Sequence, residues 1–118
     1  MNQLVTYNSL VGYELEKTRK QLGIEQADLA AICGISQPVL SRLERGKASI
    51  TIDQLFILCS ALGVPPEQIV QRASIAVDAI QKEDSVEVKT TKEIGTTGAL
   101  LTGAAIGAVL TLLLSKNK

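Results

Sequence analysis

The side chains best suited to chemistry in this 118-residue chain are amides, hydroxyls and guanidiniums. Gln37, Ser41, Arg42 and Arg45 follow Ser36, with Pro38 after Gln37, at a spacing that turns them outward on a short helix, while Val39, Leu40 and Leu43 turn inward. Such a set makes hydrogen bonds and carries positive charge. It offers no nucleophile with a base beside it. The chain has no histidine, no phosphate-cradling glycine loop followed by lysine, and no convergent carboxylate set, so neither catalysis nor a cofactor is expected. Cys33 and Cys59, the only cysteines, sit in apolar helical patterns. They read as buried free thiols in a reducing compartment, not as metal ligands.

The elements that must hold these residues are helical. Met1 to Asn8 reads as an arm or an early cap, and Asn8 or Ser9 as the cap of a first helix to about Gln21. Leu10, Val11, Leu15, Thr18 and Leu22 form its inner face, and Gly23 stops it. A second helix spans Gln26 to Ile32, with small Ala27, Ala30 and Ala31 allowing close approach and Leu29 and Ile32 as anchors. Gly34 suits a turn because it takes a positive φ without steric cost, and Ile35 plugs the corner. Ser36 then caps a third helix with Pro38 in its first turn, where a missing N–H matters least. Gly46 ends that helix. Thr51 and Gln54 spell a capping box for a fourth, which buries Leu55, Leu58, Cys59 and Leu62. Pro66 opens a fifth that reaches about Ile80. The polar run 82–93 reads as a linker, although Val86 and Val88 alternate.

Two short helices around a glycine turn are the spacing of a helix-turn-helix: the first crosses a DNA backbone and the second enters the major groove. Any small helical bundle has such corners too. More specific are Gln26-x-x-Leu29-Ala30, then Gly34-Ile35-Ser36-Gln37, then Ser41-Arg42-Leu43-Glu44-Arg45-Gly46, with Leu55 and Ala61-Leu62-Gly63-Val64 behind them. Together they make residues 10–70 resemble the Xre (Cro/lambda-repressor-like) helix-turn-helix family, whose members mostly bind double-stranded DNA as dimers, typically as repressors.

That resemblance implies roles. Gln26 touches a phosphate while bracing Gln37. Gln37 pairs with a base edge, most naturally adenine. Ser36, Ser41 and Arg42 lie along the groove, and Arg42 is as well suited to phosphate as to a base. Arg45, Lys47 and Ser49 meet the backbone behind the recognition helix. Arg19 and Glu44 are implied as a structural ion pair. Pro38 departs from the family pattern, which has a polar residue there. It offers only apolar contact, for example to a thymine methyl. Residues 1–72 also hold seven basic and seven acidic side chains, so affinity must come from where charge is placed, or from several heads acting together.

The end of the chain carries a different signal. Residues 94–115 contain no formal charge, and 22 residues of helix measure about 33 Å, the thickness of a hydrocarbon core. Gly95, Ala99, Gly103, Gly107 and Thr111 recur every fourth residue, a ladder of small side chains suited to helix packing in lipid. The flanking lysines do not decide orientation, and no signal peptide opens the chain.

The expected fold is therefore all-α: a five-helix lambda-repressor-like domain (1–72), a helix extension and linker (73–93), a single transmembrane helix (94–115) and a basic tail (116–118). The expected function is a membrane-tethered, self-associating, sequence-specific DNA-binding regulator, its head on the cytoplasmic side of the inner membrane. Two other readings stand beside it. One is a membrane adaptor or structural protein whose helix-turn-helix head binds protein and not DNA; a protein partner through the tail or the head is left open. The other is a phage-type or antitoxin-type repressor, soluble, with an oligomerising tail.

Overall fold

A computed structural model describes residues 3–82, 86–89, 99–100, 106–107 and 110–111. Five helices form the body: α1 (Tyr7–Gln21), α2 (Gln26–Cys33), α3 (Gln37–Glu44), α4 (Ile52–Leu62) and α5 (Pro66–Gln81). Their apolar faces meet in a core of Leu15, Leu29, Leu40, Leu43, Leu58 and Ile69, all nearly inaccessible to solvent. Each such side chain contributes about 1.5–3 kcal/mol by leaving water, which is what orders helices as short as α2 and α3.

The helix ends follow their local chemistry. Ser36 accepts from the Val39 N–H at 3.2 Å, and Thr51 and Gln54 cap each other's backbone at 3.0 Å. Gly34 ends α2 at φ +70°, the left-handed conformation that lets α3 leave at an angle. At α1 the cap lies earlier than the sequence suggests. Thr6 accepts from the Ser9 N–H, and Ser9 Oγ accepts from the Thr6 N–H, each at 2.9 Å. Asn8 instead reaches across the fold, its Oδ1 accepting the Ile50 N–H at 2.8 Å. Leu22, Ile32 and Val39, expected inside, are exposed.

The fold is not purely helical. Residues Gln3–Thr6 form β1, Val86–Lys89 form β2 and Ala99–Leu100 form β3, in a parallel sheet ordered β2-β1-β3. Gln3 pairs with Val86 on one side and Ala99 on the other. The arm at the start of the chain is thus the middle strand, and part of the expected linker is its neighbour.

The expectation of a transmembrane helix over 94–115 is overturned. Among the described residues no helix is long and apolar enough to cross a membrane. Ala99 and Leu100 are strand, so the run is not one continuous helix. Ile106 and Leu110 are buried against Val5, Leu10, Ala73, Ala76 and Ile80, a second core between α1 and α5. Hydropathy records a demand for burial and not what supplies it; here other parts of the same chain supply it. The inner-membrane location and the bilayer as partner fall with the helix. Of the ladder, Ala99 lies in β3, Gly107 and Thr111 are helical, and Gly95 and Gly103 lie outside the described residues. Gly107 faces α1: a Cβ there would sit 3.1 Å from the Tyr13 hydroxyl. Its small size serves packing on Tyr13, and the Thr111 hydroxyl donates to the Gly107 carbonyl at 2.8 Å.

Candidate nucleic-acid interface

The site is built outward from a buried carboxylate. Glu44 lies at the end of α3 with its side chain fully inaccessible. Arg19 of α1 grips it with two bonds, Nε to Oε2 at 2.8 Å and Nη2 to Oε1 at 3.0 Å. A third donor, Arg19 Nη1, closes the turn after α1 by reaching the Ile24 carbonyl at 2.8 Å. The bond to Glu44 pushes the Arg19 guanidinium above its ordinary value, against the opposing effect of burial. The two helices come together closely at Gly12, where a Cβ would fall 2.3 Å from the Leu43 carbonyl oxygen.

From Glu44 the polar chain continues to the surface. Gln26 Nε2 donates to Glu44 Oε1 at 2.8 Å, which fixes the amide so that its oxygen points away. Gln37 Nε2 donates to that oxygen at 3.5 Å. The sequence places these four residues on three helices, and the structure joins them in one line: Arg19, Glu44, Gln26, Gln37. The last stands exposed at the start of α3, its amide oriented from within. The part of Glu44 in holding Gln26 is not visible in the sequence, because Glu44 already has an obvious partner in Arg19.

Around Gln37 the other singled-out residues are accessible. Ser36, Pro38, Arg42, Arg45, Lys47 and Ser49 are exposed, and Ser41 is half-buried. Arg45 folds back along α3, its Nη2 donating to Ser41 Oγ at 2.7 Å, so these two act as a unit. Asn8 holds the loop behind α3 through Ile50. The neutral total hides a local surplus. Between residues 36 and 51 the exposed charges are Arg42, Arg45 and Lys47, while the one acid, Glu44, is buried and neutralised by Arg19. This segment therefore carries a local positive surplus, with the exposed acids Glu25 and Asp28 on α2 beside Gln26. Among the described residues no cluster of histidine, cysteine or carboxylate is placed to hold a metal ion.

A five-helix body whose second and third helices meet at a glycine turn, with an exposed amide and cations on the third, defines a helix-turn-helix protein. Comparison with known proteins agrees. The helix-turn-helix family profile matches residues 15–69. The chain is 39% identical over 61 residues to an uncharacterized HTH-type transcriptional regulator, y4dJ, of Sinorhizobium fredii, covering 52% of this chain and 79% of that protein. It is 28% identical over 86 residues to the antitoxin PezA of Streptococcus pneumoniae, covering 73% of this chain and 54% of PezA. The crystal structure of the clp gene regulator ClgR from Corynebacterium glutamicum superposes with a TM-score of 0.60 at 29% identity, over 65% of this chain and 84% of that one. The chain belongs to the helix-turn-helix family of HTH-type transcriptional regulators. Its structural relatives include a clp gene regulator and a restriction-modification controller protein, and it is not an enzyme.

Proposed function

We propose that this chain is a sequence-specific DNA-binding transcriptional regulator that inserts α3 into the major groove. Gln37 reads a base edge there, with Pro38 beside it for apolar contact and Ser41 and Arg42 further along the groove. Gln26, Arg45, Lys47 and Ser49 hold phosphates, and two copies act at paired half-sites. The observation that carries this reading is the bonded line from Arg19 through Glu44 and Gln26 to Gln37. A surface amide with no task needs no orientation from the core, whereas a base-reading amide gains from having its rotamer fixed before binding.

Selection from a random duplex pool, followed by titration of the selected site at low and high salt, tests it. The expected result is a paired motif bound with strong salt dependence. Gln37→Ala should lose about 1–3 kcal/mol of discrimination at one base pair per half-site with stability unchanged within about 0.5 kcal/mol. No enrichment at any salt, or unaltered preference in Gln37→Ala, overturns the proposal in favour of a head that binds protein.

The PezA match supports a second, compatible reading. It extends over 86 residues, beyond the 55 or so of the helix-turn-helix unit. That length fits a regulator of antitoxin type, whose remaining residues engage a protein partner.

A further inference from the structure

A cleft of about 270 Å³ opens between α1, α5 and the helical residues Gly107, Leu110 and Thr111, away from α3. Its polar wall carries Tyr13, Glu14, Lys17 and Arg72, and its apolar wall Ile75 and Leu110. Glu14 is only 5% exposed, yet among the described residues its Oε2 has no hydrogen-bond partner. A buried carboxylate oxygen without a donor is costly and uncommon, and it marks a place where something donates. The two cations do not supply that donor: among the described residues the ion pairs are Arg19–Glu44 and Lys20–Glu16. Lys17 and Arg72 are near enough to draw the Glu14 carboxyl down while burial pushes it up more strongly, but neither closes on it. Among the described residues the cleft thus presents a carboxylate oxygen without a donor, two cations without an ion-pair partner and a greasy side, with Ile75 more than half exposed beside them.

We propose that this cleft binds a small amphoteric molecule, an aliphatic α-amino acid. Its ammonium bonds the Glu14 carboxylate, its own carboxylate meets Arg72 and Lys17, and its side chain covers Ile75 and Leu110. Only a ligand carrying both charges satisfies both ends of the cleft, since an amine leaves the cations unmet and an acid leaves Glu14 unmet. The volume lies just below the range of about 300–1,000 Å³ typical of drug-sized ligands, which suits a molecule of amino-acid size. The bound molecule would touch α1, α5, Gly107 and Leu110 together, so binding strengthens the seam between those residues and the body.

The test is a titration of the isotope-labelled full chain with L-valine, L-leucine and L-methionine, followed by amide NMR and thermal melting. The expected result is saturable shifts at Glu14, Gly107 and Thr111, and a Tm that rises with ligand concentration. Isocaproate, which is leucine without its ammonium, and isoamylamine, without its carboxylate, should each bind about tenfold or more weakly. Glu14→Gln should bind leucine about tenfold more weakly or worse while melting no lower than the parent without ligand. If that variant does not fold, Arg72→Gln gives the same reading at the carboxylate end. Absence of shifts with all three amino acids at millimolar concentration overturns the proposal. So does isocaproate binding as tightly as leucine, or an unchanged leucine affinity in the Glu14 or Arg72 variant. None of these outcomes depends on whether α3 binds DNA.

Discussion

Replacing Glu44 by alanine is the perturbation the structure judges most severely. Its side chain is fully inaccessible and that of Arg19 is 8% exposed, so the pair is little screened by water or salt. The substitution removes the acceptor for three donors: two Arg19 bonds at 2.8 and 3.0 Å, and the Gln26 amide at 2.8 Å. Breaking a buried pair by deleting one partner costs about 3–5 kcal/mol, because the other charge stays behind unpaired. We expect about 4 kcal/mol, a large share of the roughly 5–15 kcal/mol that holds a domain together. For a body of this size that lowers Tm on the order of 20 °C. Urea unfolding of Glu44→Ala measures it, and Glu44→Leu, Arg19→Met and the double variant Arg19→Met/Glu44→Leu close a cycle around the pair. The double variant should be much less damaged than the sum of the singles, since it removes both charges together. A loss below about 1 kcal/mol in Glu44→Ala would put the pair with exposed ones and refute the argument, as would strict additivity.

The remaining predictions concern packing and pH. Gly12→Ala places a methyl 2.3 Å from the Leu43 carbonyl oxygen and should cost about 1–3 kcal/mol, read by urea unfolding. Ile106→Ala should cost about 2–4 kcal/mol, because Ile106 is 1% exposed in the core beside Ile80. A loss under about 0.5 kcal/mol would mean that the tail is not docked. Burial raises the Glu14 carboxyl above its ordinary 4.5, so the folded chain holds that proton more tightly than the unfolded one. Stability therefore falls as pH rises from about 4.5 through the folded value. Glu14→Gln should melt higher than the parent at neutral pH, with the gap closing as pH falls toward 4.5. A gap independent of pH refutes this.

The helices and the caps of α3 and α4 were legible in the sequence because their causes are local, whereas the Thr6–Ser9 cap of α1 was not. Ser36, Thr51 with Gln54, Gly34 and Pro66 each act within four residues, and the apolar spacing of α4 shows which side is buried. What escaped notice was non-local. Nothing near Gln3 announces that it pairs with Val86 and Ala99, and alternation over Val86 to Lys89 is too short to stand out without its partner. The tail misled for a related reason: Ile106 and Leu110 demand burial whether lipid or Ala76 provides it. At the site, the residue types were legible and the wiring was not. Gln26, Gln37 and Glu44 each stand out by position, but that one carboxylate serves both Arg19 and Gln26 is a matter of distance across three helices.

The sheet has a consequence for how the molecule comes into being. The strand Gln3–Thr6 leaves the ribosome before α1, yet both strands that flank it are made after α5 is finished. β1 must stay unpaired while α1 to α5 close beside it, and β2 and β3 then deliver the partners on either side. A bulky fusion ahead of Gln3 would burden the middle of the finished sheet and not a free end.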